Sequence, residues 1–142
     1  MPTPKIIKYA FKGDVKKVEE CITNGDDINV TNWYGMTALM CASRYGHSAV
    51  VTSLIANQAD INVTNNKGWS ALMWASYWRE VKCVKVLIQN QANLLVKSTK
   101  DHWSGIKKGS SALDIAKQKY HTEIVKLLQD AMSSSSSNSY KP

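Results

Sequence analysis

The chain lacks most of the features that mark a catalyst, a membrane protein or a secreted one. No apolar run approaches the ~20 residues a helix needs to cross a bilayer. The opening MPTPKIIKYAFKGD holds no apolar stretch of the kind that directs export. Cysteines number three (Cys21, Cys41 and Cys83), an odd count without a CxxC or other zinc-like spacing. That usage fits reduced, packed thiols in a cytoplasmic or nuclear protein. The three histidines, His47, His102 and His121, stand at no ligand spacing from one another or from the cysteines, so neither a metal nor a cofactor is expected. GxSxG, Walker A, GxGxxG, HExxH and EF-hand patterns are all missing, which argues against an enzyme. Arginine is scarce. Two arginines and sixteen lysines stand against eleven carboxylates, for a net charge of +7. The surplus favours acidic partners or surfaces, but clustered arginines of the kind that track nucleic acid are absent.

What the chain does have is internal repetition. Its 142 residues, 44% of them hydrophobic, suffice for one domain with a reasonable core. GMTALMCASRYGHSAVVTSLIANQADINVTNN begins at Gly35, and GWSALMWASYWREVKCVKVLIQNQANLLVKST begins 33 residues later at Gly68. GSSALDIAKQKYHTEIVKLLQDA begins at Gly109, after 33 residues plus eight inserted ones. The first unit, IIKYAFKGDVKKVEECITNGDDINVTN, falls into the same frame through Gly13 and Gly46. A fixed period of this kind signals stacked supersecondary units. Within each unit Thr37, Ser70 or Ser111 is placed to cap a short first helix. A second helix follows, and Val50, Val51, Leu54 and Ile55 give it an apolar stripe. Asp60-Ile-Asn-Val then leads into an extended loop. One such pair cannot bury its own apolar side, so its neighbours must stack on it.

The period, the G-x-[TS]-x-L starts, Gly46-His47 and Ala59 to Asn62 resemble ankyrin repeats over residues 5 to 131. The resemblance implies an all-α solenoid of stacked helix-turn-helix units with projecting loops or β-turn fingers. Its repeats would span about 5–31, 32–64, 65–97 and 98–131, the first and last as caps. Residues 132–142, serine-rich and without periodicity, read as a disordered tail or linker. The family's T-P-L-H start appears here as Thr37-Ala-Leu-Met40, Ser70-Ala-Leu-Met73 and Ser111-Ala-Leu-Asp114, without proline or histidine. Arg79 and Tyr120 replace the turn glycine found at Gly13 and Gly46. If they keep a left-handed conformation, each costs about 1 kcal/mol relative to glycine.

This frame sorts the aromatics. WSALMWASYW, Trp69 to Trp78, holds three of the five tryptophans. Trp74 aligns with Cys41 and Ile115 and is expected in the core. Tyr77 and Trp78 align with Arg44 and Tyr45, and the resemblance places these positions on a concave groove that touches partners. Trp69 and Met36 share one position just after the finger glycine, and Trp33 and Tyr34 sit at a finger tip. Phe11 takes the place of Arg44 in the first unit. Exposed together, such rings would form a patch suited to binding. The inserted finger adds Lys97, Lys100, Lys107 and Lys108 around His102 and Trp103, a basic segment able to attract acidic groups.

The expectation is therefore a non-enzymatic protein–protein interaction module. Its partner-binding residues would be Trp33, Tyr34, Met36, Arg44, Tyr45, Trp69, Tyr77, Trp78, Trp103, Lys107 and Lys108. The partner would be another protein, with an acidic segment meeting the long finger, and no small-molecule substrate is expected. Two alternatives stay open: binding of nucleic acid or an acidic surface through the basic finger, and a scaffold segment of a larger multidomain protein. The resemblance also implies a modification. Leu54, Asp60, Ile61 and Asn62 match the pattern around asparagines that undergo β-hydroxylation.

Overall fold

The structure, a computed structural model, describes residues 2–139. Eight helices and no strand occur among the described residues. They form four pairs: α1 (Lys5–Lys12) with α2 (Val15–Thr23), α3 (Ala38–Arg44) with α4 (Ser48–Ala56), α5 (Ala71–Tyr77) with α6 (Val81–Gln89), and α7 (Ala112–Gln118) with α8 (Thr122–Ser139). The first helices pack in one row, α1 on α3 on α5 on α7, and the second helices in another, α2 on α4 on α6 on α8.

Each inner helix starts where its sequence allows. The hydroxyls of Thr37, Ser70 and Ser111 accept the backbone N–H three residues on, at 3.2, 3.3 and 3.2 Å, meeting one of the donors that a helix start leaves unpaired. Asp114 also reaches back to the Ser111 N–H at 3.0 Å, completing a capping box. Burial follows position in the stack. All seven residues of α5 are buried because the helix has neighbours on both sides in its row and α6 behind it. An apolar sequence all round the helix is what such a site requires. The outer helices need only a stripe, supplied by Val50, Val51 and Leu54 in α4 and by Cys83, Val84 and Leu87 in α6.

Polar side chains tie the units together along the stack. Asn29 Oδ1 accepts the N–H of Asp60, and Asn62 Oδ1 accepts that of Asn93, both at 2.8 Å. His47 donates from Nε2 to the Phe11 carbonyl at 2.9 Å, and His121 from Nδ1 to the Ser76 carbonyl at 2.8 Å. Asp27, Asp60 and Asn93 each accept the N–H two residues on, the turn-making role of short polar side chains. Between the helices of a pair the chain turns through a left-handed residue. Gly46 supplies it at φ 74°, but Arg79 and Tyr120 adopt the same conformation at φ 60° and 59°. Gln58 and Gln91 do so after the outer helices, at φ 69° and 66°.

The serine run departs from its expected irregularity. The backbone of α8 continues as helix to Ser139. Extending an existing helix costs far less than nucleating one, so serine's mediocre propensity suffices there. Residues 140–142 of the expected tail lie outside the described residues.

Candidate functional site

Three fingers project from the inner-helix side, and one turn builds them all. The Asn32 N–H donates to the Met36 carbonyl at 3.1 Å, and the Asn65 N–H to the Trp69 carbonyl at 2.9 Å. Each asparagine Oδ1 accepts two N–H groups inside its turn, those of Tyr34 and Met36 or of Lys67 and Trp69. Successive fingers are stitched edge to edge, Asn66 N–H to the Tyr34 carbonyl at 3.0 Å and Thr99 N–H to the Lys67 carbonyl at 2.9 Å. A Cβ placed on Gly68 would come within 2.6 Å of the Thr99 backbone nitrogen. Only glycine lets the fingers stack this closely.

The third finger contains the turn twice. Ser98 and Ser110 close the base, where Ser98 N–H meets the Ser110 carbonyl at 2.9 Å. Inside the inserted residues His102 and Ile106 close a second turn at 2.8 Å. The tip folds back against the helices. Ile106 is buried, and the His102 ring lies 4.7 Å from the Trp69 ring and 5.6 Å from that of Tyr77. Gln118 Nε2 donates to the Gly105 carbonyl at 3.3 Å and ties the finger to α7.

This finger corrects part of the expected surface. Trp69 has 0% exposure and Tyr77 5%, because the rings of His102 and Trp74 cover Trp69 and those of Trp78 and His102 flank Tyr77. Met36 is buried as well. Trp69 and Tyr77 offer no face to a partner, and Met36 only an edge. Trp74 is buried as expected.

A groove of about 640 Å³ remains on the concave side. Ile7, Lys8 and Phe11 of α1 form one flank. Arg44, Tyr45 and Trp74 form the floor, and the fingers contribute Tyr34 and the edge of Met36, Asn65 to Lys67, and His102 with Trp103. The groove thus unites five of the expected residues: Tyr34, Met36, Arg44, Tyr45 and Trp103. Trp33, Trp78, Lys107 and Lys108 are exposed but lie outside its lining. The Lys108 N–H is bound to Asp101 Oδ1 at 2.8 Å. Sequence reasoning missed Ile7, Lys8, Lys67 and the cover formed by His102. Their repeat positions carry no distinctive residue type, and the insertion has no counterpart to align with.

The floor is chemically unusual. The Arg44 guanidinium carbon lies 4.9 Å from the Trp74 ring centroid, 5.2 Å from that of Tyr45 and 5.9 Å from that of Trp78, distances at which a cation is attracted to a ring face. Phe11 meets Tyr45 edge-on at 4.5 Å. Arg44 Nε and the indole nitrogens of Trp69 and Trp74 are buried without a hydrogen-bond partner. Left unpaired, such groups each cost roughly 1–3 kcal/mol. Burial first, then the charges of Lys67 and Arg44, holds His102 below its ordinary pKa.

A family model describing ankyrin repeats in three copies matches residues 6–98. The chain belongs to the ankyrin-repeat family. Ankyrin repeats generally serve as protein–protein interaction modules, and the groove lies between their fingers and inner helices. The fourth pair, α7 with α8, lies beyond the matched residues but repeats the same cap at Ser111 and the same cross-unit histidine bond at His121. No curated protein matches the chain. Among the described residues no cluster of histidine, cysteine and carboxylate could hold a metal, and no helix is long and apolar enough to cross a membrane. Burial pushes the Cys41 thiol up to about 11 and that of Cys83 up to about 12.

Proposed function

We propose that this ankyrin domain is a non-enzymatic interaction module that holds a segment of another protein in its concave groove. One observation carries the reading. Phe11, Tyr34, Tyr45 and Trp103 keep 50, 73, 42 and 81% of their surface exposed around one groove, while the rings one layer below are sealed. Large rings with few rotamers to freeze give contact area at low entropic cost. A soluble monomer without a partner has no use for such a patch.

The test is site-specific photo-crosslinking in cells, with the photoreactive residue placed at Tyr34, at Trp103, or at Leu95, which is exposed outside the groove. A protein crosslinked from Tyr34 and Trp103 but not from Leu95 supports the groove. Crosslinking from Leu95 alone, or recovery only of nucleic acid that salt elutes, refutes it. Substituting Tyr77 would not serve, since its loss cuts into the packed layer.

Asn62 is kept as a candidate for β-hydroxylation. Its side chain is exposed and its Oδ1 accepts the Asn93 N–H, which leaves the Cβ hydrogens uninvolved. Native protein with no +16 mass shift on the Asn62 peptide removes the idea.

A further inference from the structure

We infer that the segment held in the groove is acidic, and that one of its Asp or Glu carboxylates seats on Arg44. This rests on the groove being the binding site and adds the chemistry of its occupant. Arg44 stands at the end of α3 with its guanidinium framed by the rings of Trp74, Tyr45 and Trp78. Nε is sealed beneath those rings without a partner. Among the described residues, the ion pair formed is Lys17 with Glu20 on the outer helix α2, and no carboxylate lines the groove. Lys8 and Lys67 add two further cations to its rim.

An arginine this enclosed ordinarily acquires a carboxylate, since a planar guanidinium binds one through two parallel bonds. Here the described residues supply none. The charge left over is complementary to an acid, and the rings on either side suit apolar neighbours of that acid. A cationic ligand is disfavoured for the same reasons. Arg44 already occupies the rings of Trp74, Tyr45 and Trp78 at the floor, and with Lys8 and Lys67 it puts three like charges around the site. The groove therefore fits a short peptide with one acidic residue flanked by apolar ones.

Selection from a displayed library of random twelve-residue peptides on the intact chain tests this. The expected result is a fixed Asp or Glu flanked by apolar residues. A synthetic copy of the selected peptide should crosslink to the photoreactive residue at Tyr34. Arg44→Gln should weaken that peptide by about 10- to 100-fold, the loss typical of a desolvated charge-assisted contact. Arg44→Lys should recover part of the affinity, and circular dichroism of both variants checks that the fold persists. In a second selection, Arg44→Glu should exchange the acidic preference for a basic one, which depends on charge and not on how stable either variant is.

Peptides that crosslink at Tyr34 without an acidic position, or that bind Arg44→Gln as tightly as the natural chain, overturn the inference and leave the groove intact as a binding site. Enriched peptides rich in lysine or arginine also overturn it. Peptides that crosslink only away from Tyr34 and Trp103, or an absence of any enrichment, overturn the groove reading along with it.

Discussion

Tyr120 offers a test of backbone strain almost free of side-chain contacts. It closes the turn between α7 and α8 at φ 59°, with 86% of its surface exposed, where the first two units use Gly13 and Gly46 at φ 76° and 74°. A left-handed residue with a Cβ costs about 1–2 kcal/mol, and glycine returns about 0.5–1 kcal/mol of that through its freer unfolded chain. Tyr120→Gly should therefore stabilise by about 0.5–1 kcal/mol, and Tyr120→Ala, which keeps the Cβ, by nothing measurable. Asparagine should fall between them. The assay is urea unfolding of the three variants, read beside amide hydrogen exchange in α7 and α8, because a solenoid can open locally at its end. At equal urea dependence, the glycine variant should show the highest midpoint and slower exchange in α7. If Tyr120→Gly is no more stable than Tyr120→Ala, the turn stores no strain. Arg79, exposed in the preceding turn at φ 60°, should answer to glycine in the same way.

Three further outcomes are expected. Trp69→Ala should cost about 3–5 kcal/mol, as large aromatics lost from packed cores do, whereas Trp103→Ala, 81% exposed, should change stability by less than about 0.5 kcal/mol; equal effects in urea unfolding would refute the assigned layers. His102 is held below its ordinary value of 6.5 mainly by burial, so the folded state binds fewer protons than the unfolded one. Its contribution is complete above pH 6.5 and is lost as pH falls from there through the lowered folded value. The thermal midpoint should drop on acidification, and less so in His102→Asn, which restores the residue found in the matching turns at Asn32 and Asn65; an unchanged pH slope in that variant would show that His102 is not its source. Finally, native Cys41 and Cys83 should resist iodoacetamide at pH 8 and react quickly once unfolded, since their thiols stay protonated up to about 11 and 12; rapid native labelling would contradict their burial.

The fold was largely legible because its signals are local and recur. Thr37, Ser70 and Ser111 announce their helices by side-chain chemistry alone, and the α4 stripe follows from spacing. The groove was legible only in part. Aligning repeats assigns Trp69 to the same position as Met36, but it is silent on what another segment lays over that position. His102 does so from the insertion, a stretch without a repeat partner. The missed cations Lys8 and Lys67 are unremarkable in sequence and matter only through their neighbours in space. Helical serines at the end of α8 inherit order from the turns before them, which composition cannot express.

The doubled turn of the third finger has a bearing on length as well as on burial. It folds over Trp69 and Tyr77, and the groove lining ends with His102 and Trp103, so a segment bound there as proposed would run out of floor at Trp103. A site with one closed end measures its occupant. It would set how many residues can lie flat before the chain must turn outward, and the same residues that set that length also seal Trp69 and Tyr77, so the ruler cannot be trimmed without opening the core beneath it.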